Sequence, residues 1–145
     1  EIPPNTGNII RLCANTGYYL HLIKPIGFDL KDKQLKRAGL DYHDIAKVKI
    51  HDNLNEFIKT INPKRILATT SKVSKSYTTI KFNKNDAILF GSESNGLSED
   101  IINKIQKENV FNIPMKPNNR SLNLSNAVSI IVYESWRQHN FEGSV

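Results

Sequence analysis

Apolar residues along the chain fall into two alternating rhythms. Short runs of branched and aromatic residues at Tyr19 to Ile23, Lys47 to Ile50, Arg65 to Thr70, Ala87 to Phe90 and Val110 to Ile113 predict strands. Between them helical spacing takes over. Thr6 to Asn15 sets Ile9, Leu12 and Cys13 on one side and Asn8, Arg11 and Asn15 on another, which predicts a helix whose polar face carries one cation. Lys33 to Ala38, Leu54 to Thr60 and Ser98 to Lys107 predict further helices. Gly39 is placed as a helix stop, and Ser98 as an N-cap followed by acidic Glu99 and Asp100. In Leu124 to Arg137, Leu124, Ala127, Val128, Ile131, Val132 and Trp136 lie at helical spacing, an apolar surface wide enough to predict burial on more than one side. Strands alternating with helices give an α/β class, with a mainly parallel sheet flanked by helices. Lys72 to Lys84, rich in Lys, Ser and Thr, is expected to be a mobile loop.

Bulk properties narrow the class. A chain of 145 residues is expected to form one domain, 1–145, with no internal repeat and no low-complexity linker. Twenty Lys and Arg against 14 Asp and Glu give +6 and a sequence pI near 9.4, a balance that favours a polyanionic partner. The positive charge is spread out, and pairs such as Lys36-Arg37 and Lys64-Arg65 read as solvated faces. A single cysteine, Cys13, excludes an intrachain disulfide and a cysteine-based zinc site, and it reads as core. His21, His43, His51 and His139 show no ligand spacing, so no metal is expected. The longest apolar runs fall far short of a membrane span and no signal-peptide pattern opens the chain, so a cytoplasmic protein is expected.

Three segments have compositions that plain structural elements do not need. Glu1-Ile-Pro-Pro-Asn-Thr-Gly-Asn-Ile-Ile-Arg11 is a proline-glycine turn leading into a helix with amides and one arginine, groups suited to phosphate or ribose. Its bland reading makes Asn5 an N-cap and Arg11 a surface residue. Such a motif ought to follow a strand, so a first strand is expected to be missing before Glu1. Phe90-Gly91-Ser92-Glu93-Ser94-Asn95-Gly96-Leu97-Ser98 is a loop with two glycines after a buried strand, where backbone can approach a ligand and Glu93 can accept hydrogen bonds. It lacks the lysine of a Walker loop, and the chain has no G-x-G-x-x-G fingerprint, which weakens ordinary Rossmann cofactor binding. Ile113-Pro-Met-Lys-Pro-Asn-Asn-Arg-Ser-Leu-Asn-Leu-Ser-Asn126 runs from a strand into a helix entrance where Ser121, Asn123, Ser125 and Asn126 gather donors and acceptors. Helix capping uses one or two of these and leaves the others unexplained.

Taken in this order and at these separations, the three segments resemble the motifs of the SPOUT superfamily. They are most similar to its TrmL (YibK-like) branch, the tRNA (cytidine/uridine-34-2'-O)-methyltransferases. Arg37-Ala-Gly-Leu-Asp-Tyr-His43 also resembles a stretch of that branch. The similarity covers essentially the whole chain; Ser92 and Asn95 depart from relatives that carry proline or a bulkier residue. The resemblance implies a SPOUT fold with a C-terminal trefoil knot, an exception to the usual absence of knots. It further implies an obligate homodimer with active sites completed across the interface, S-adenosyl-L-methionine as methyl donor, S-adenosyl-L-homocysteine as product, and the anticodon stem-loop of tRNA as substrate.

By the same resemblance Thr69, Gly91, Gly96, Ile113, Met115, Ser121 and Leu122 are expected to bind the donor, and Asn5, Arg11, Glu93 and Asn123 to form the catalytic set. Arg11, Arg120 and Tyr133 are expected to contact RNA. A guanidinium stays protonated in proteins, so Arg11 is assigned to hold the phosphate beside the reactive ribose and to stabilise negative charge on the attacking oxygen. Two other readings are carried: ribose methylation elsewhere in tRNA or in ribosomal RNA, and a non-catalytic RNA-binding module.

Overall fold

Parallel pairing organises every strand of the computed structural model, which describes residues 1–31, 33–37 and 39–145. Two compact units divide the chain, Glu1–Asn62 with Gly143–Val145, and Pro63–Glu142.

The first unit opens with helix α1 (Pro3–Thr16). It starts earlier than the sequence rhythm indicates because Pro3, with its preset φ and no N–H to satisfy, suits the first helical turn. Ile2, not Asn5, is the N-cap, and Asn5 lies inside the helix, 5% exposed. Ile9, Ile10 and Cys13 make the apolar side, while Asn8, Arg11 and Asn15 are exposed as the spacing predicts. Helices α2 (Lys33–Arg37) and α3 (Tyr42–Ala46) pack on α1, with Leu35 fully buried. The helix end expected at Ala38 and the side chain of Lys36 lie outside the described residues. Strand β1 (His21–Ile23) pairs in parallel with β2 (Lys49–His51), and α4 (Leu54–Ile61) packs on both, burying Phe57. Asn53 caps α4 by accepting from Glu56 N at 2.8 Å.

In the second unit β3 (Arg65–Thr69) lies between β4 (Asp86–Leu89) and β5 (Val110–Phe111), all parallel. Side chains alternate across a strand, so neighbouring residues feed different cores. Leu67 and Phe111 join Ile80, Phe82 and Ile131 on one face, whereas Ala68 and Val110 join Leu97 on the other. Covering both faces explains why these strands read as continuous apolar runs. Helix α5 (Glu99–Asn103), with Ser98 as N-cap, contributes Ile101 and Ile102 to the second core, and α6 (Leu124–Gln138) contributes Ile131 to the first. Each fully buried Leu, Ile or Phe stabilises the unit by about 1.5–3 kcal/mol. Arg65 donates two hydrogen bonds to Asp86, at 3.0 and 2.6 Å, and these two residues are also register partners, so an ion pair marks the alignment of β3 with β4.

The structure corrects one expectation here. Lys72 to Lys84 is not a loose loop: Ile80 and Phe82 are 5% and 3% exposed and lie in the core. Gln138 of α6 clamps this stretch, accepting from Phe82 N and donating to Ile80 O, both at 2.9 Å. The two apolar residues stand amid Lys, Ser, Thr and Asn, too isolated to show a period. Among the described residues, no helix is long and apolar enough to cross a membrane.

Candidate functional site

Because β3, β4 and β5 are parallel, the segments that follow them leave the same edge of the sheet. That carboxyl edge is where open α/β sheets bind ligands. Thr69 ends β3 and is half-buried; the other donor-binding candidates of this unit lie in the segments after β4 and β5.

The segment after β4 folds back on itself. Gly96 N donates to Ser92 O at 3.0 Å across an antiparallel bridge, and Asn95 N donates to Ser92 Oγ at 3.3 Å. Gly91 is required by this closure. A Cβ there would fall 2.0 Å from the carbonyl carbon of Gly96 and 2.2 Å from Leu97 N, both backbone atoms. Leu97 anchors the far end in the core, and Ser98 Oγ accepts from Ile101 N at 3.3 Å to start α5. Between these fastenings Glu93 is half-buried and Ser94, Asn95 and Gly96 are exposed.

The segment after β5 begins tied down and ends tied down, with an exposed stretch between. Asn112 N donates to Lys75 O at 2.7 Å, and Asn112 O accepts from Tyr77 N at 2.9 Å. Its side-chain Oδ1 is buried with no hydrogen-bond partner among the described residues. A buried acceptor left in that condition costs about 1–3 kcal/mol, and a donor group of a ligand would relieve it. Met115 and Leu122 are 41% and 40% exposed. Arg120 and Ser121 are exposed. At the other end Asn123 Oδ1 accepts from Ser125 N at 2.9 Å, from Asn126 N at 3.4 Å and from Ser125 Oγ at 2.6 Å. Capping thus engages Asn123 and Ser125 and places no such demand on Ser121. Tyr133 lies further along α6, 45% exposed, its ring 5.7 Å from that of Trp136.

In the first unit Arg11 is exposed on α1, and its Nη2 donates to Gly39 O at 3.0 Å. Among the described residues it has no carboxylate partner, so its charge is not neutralised locally. Asn5 is buried and does not share the exposed face of Asn8, Arg11 and Asn15. His21 and His51 form a pair that sequence spacing does not reveal, Nδ1 to Nε2 at 2.9 Å, with Phe57 edge-on to both rings. Parallel register with a two-residue offset, unreadable from either strand alone, brings them together. Burial, then His51 and Lys49, lowers the His21 pKa. Among the described residues no cluster of three or more His, Cys, Asp or Glu could hold a metal.

Residues 1–133 match the SpoU rRNA Methylase family. The chain is 54% identical to the tRNA (cytidine(34)-2'-O)-methyltransferase of Methylovorus glucosotrophus (strain SIP3-4), over 100% of this chain and 94% of that protein. A solved structure described as giving structural insights into the 2-OH methylation of C/U34 on tRNA is similar with a TM-score of 0.86 at 38% identity, over 97% of this chain and 91% of that one. An AdoMet-bound rRNA methyltransferase from Sinorhizobium meliloti is similar with a TM-score of 0.78 at 26% identity, over 94% of this chain and 52% of that one.

Proposed function

The chain belongs to the SpoU rRNA methylase family, and from that premise we propose that it transfers a methyl group from S-adenosyl-L-methionine to the ribose 2'-hydroxyl of nucleotide 34, C or U, of tRNA. The observation that carries this reading is the identity of 54% over the whole chain with a relative named tRNA (cytidine(34)-2'-O)-methyltransferase, beside a similar solved structure described for C/U34. Residues 1–145 act as one methyltransferase domain, with a trefoil knot near the C-terminus and a homodimer as the working form, in the cytoplasm.

The carboxyl edge of the second unit fits the donor. Its segments offer exposed Met115 and Leu122 for a flat apolar base and the buried Oδ1 of Asn112, unpartnered among the described residues, for an N–H donor. Thr69, Gly91, Ile113 and Ser121 enclose the donor through the backbone, and Gly96 packs beside it with Met115 and Leu122. When bound, S-adenosyl-L-methionine supplies an electrophilic methyl group on a sulfonium and leaves as S-adenosyl-L-homocysteine.

The remaining work falls to the chain's own residues. Arg11, exposed and without a carboxylate partner among the described residues, grips the phosphate beside the reactive ribose and stabilises negative charge developing on the attacking oxygen. Glu93 and Asn123 hold the reacting groups by hydrogen bonds, and Asn5 does so from within α1. Arg120 adds a phosphate contact and Tyr133 a ring on which a base can stack. Orienting the hydroxyl for in-line attack can account for several kcal/mol of the barrier.

The test is methylation of total tRNA, from cells lacking the modification, with labelled S-adenosyl-L-methionine, the product nucleotide being mapped by mass spectrometry. A 2'-O-methylpyrimidine at position 34 is the expected result. Methylation only at another ribose would refute the substrate, and no incorporation despite donor binding would refute the activity. Arg11→Ala should lower the single-turnover rate at saturating tRNA about 100-fold while leaving donor affinity unchanged. Full single-turnover activity in that variant would remove Arg11 from the mechanism.

A further inference from the structure

The turn between α2 and α3 does more than connect two short helices. Both helices pack on α1, and Leu35 is fully buried. After the turn, Asp41 and Asp44 form a reciprocal cap: Asp44 N donates to Asp41 Oδ1 at 2.8 Å, and Asp41 N donates to Asp44 Oδ2 at 3.5 Å. Gly39 therefore stands two residues ahead of a capped helix start. Its φ of +72° lies in the left-handed region, which glycine adopts without strain. In that conformation its carbonyl accepts from Arg11 Nη2 at 3.0 Å. The space a side chain would need is taken by the same guanidinium: a Cβ on Gly39 would sit 2.9 Å from Nη2, 3.6 Å from Cζ and 3.7 Å from Nη1. Backbone conformation and the missing side chain serve one contact.

We propose that Gly39 is a positioning residue for Arg11, its carbonyl holding one N–H of the guanidinium so that the remaining donors face the RNA phosphate. The inference rests on the reading of Arg11 as the phosphate-holding cation. A neutral carbonyl suits this task better than a carboxylate would. It orients the donor fork and leaves the full positive charge for an anion, whereas an acidic partner would orient and neutralise it together. Part of the rotamer entropy that a free arginine must lose on gripping phosphate is also removed before the RNA arrives.

Gly39→Asn and Gly39→Ala separate this role from mere folding. Asn tolerates a positive φ but still brings a Cβ against the guanidinium; Ala suffers both effects. Gly39→Asn is expected to keep the thermal midpoint and donor affinity of the parent, while the single-turnover rate at saturating tRNA falls about 10–100-fold. In an Arg11→Ala background the same substitution should cause no further loss, because residues that act through one another are not additive. Full rate in Gly39→Asn, or an equal loss in both backgrounds, would overturn the proposal. If Arg11→Ala itself is fully active, the underlying reading of Arg11 has failed instead. A measurement on the unaltered protein guards against variants that do not fold. Arginine-selective NMR should show slower guanidinium rotation for Arg11 than for Arg120, and equal rotation would equally overturn the clamp.

Discussion

Replacing Gly91 by alanine tests the closure of the loop after β4 most directly. Carbon atoms in ordinary contact lie about 3.5–4.0 Å apart, yet the new Cβ would meet Gly96 C at 2.0 Å, Leu97 N at 2.2 Å and Gly96 Cα at 2.4 Å. All three are backbone atoms, so no side chain can swing aside and the Gly96–Leu97 peptide must move by more than about 1 Å. That motion pulls on Leu97, which is 9% exposed in the core, and on the hydrogen bond from Gly96 N to Ser92 O. Losing part of the burial costs up to about 2 kcal/mol and losing the hydrogen bond about 1 kcal/mol. With about 2–4 °C per kcal/mol for a domain approaching this size, Gly91→Ala should lower the melting midpoint by roughly 6–12 °C. Gly96→Ala is the control. A Cβ there meets nothing within 4 Å, and only its φ of +66° resists alanine, a cost of about 1 kcal/mol. Calorimetric titration with S-adenosyl-L-methionine should show weakened binding in Gly91→Ala. If that variant melts within about 2 °C of the parent and binds the donor equally well, the loop does not close as described.

Other perturbations probe the two units separately. Asp86→Ala leaves the Arg65 guanidinium and Asn83 N without their carboxylate, whose side chain is 4% exposed; urea unfolding should register a loss of about 3 kcal/mol, and a loss below about 1 kcal/mol would deny the pair a role in aligning β3 with β4. Burial pushes the Cys13 thiol up to about 11, so the stability this group contributes is complete below about pH 9 and is lost as pH rises through about 11. The advantage of the parent over Cys13→Ala should therefore shrink by roughly 2–3 kcal/mol across that window, and a constant difference would contradict the thiol's burial. His21, with its pKa lowered first by burial and then by His51 and Lys49, contributes stability above the ordinary histidine range near 6.5 that is lost as pH falls through its lowered value. Imidazole NMR should find it titrating below the ordinary histidine value near 6.5, and titration at or above that value would refute the paired geometry.

Residues that repeat with a period were legible in the sequence; residues that meet only in three dimensions were not. The five strands among the described residues and the helices at both ends of the chain are foreshadowed to within a few residues, because each buries a continuous run or a face. Helix α3 leaves no periodic mark in the sequence. It is five residues long and held by the Asp41–Asp44 cap rather than by an apolar stripe. Ile80 and Phe82 were hidden in a polar stretch, since their burial depends on Gln138, which lies more than fifty residues further along. At the candidate site, composition singled out both glycine-bearing and amide-bearing loops, but not Asn112, whose interest lies in an unanswered acceptor. Gly39 looked like a helix stop; its second use, facing Arg11, requires knowing what stands opposite.

The order in which β3 finds its neighbours has a consequence for synthesis. Strand β4 follows β3 by under twenty residues, but β5 emerges only some forty residues after β3 ends. At translation rates of about 5–20 residues per second, the stretch from Leu89 to Val110 leaves β3 for roughly 1–4 s with one side paired and the other open. For that interval Arg65–Thr69 is a bare edge in a nascent chain, the condition in which strands pair with the wrong partner. Slowing elongation between the codons for Leu89 and Val110 would lengthen the exposure and speeding it would shorten it. The yield of folded protein becomes a matter of codon choice over a segment that contains the Gly91 loop itself.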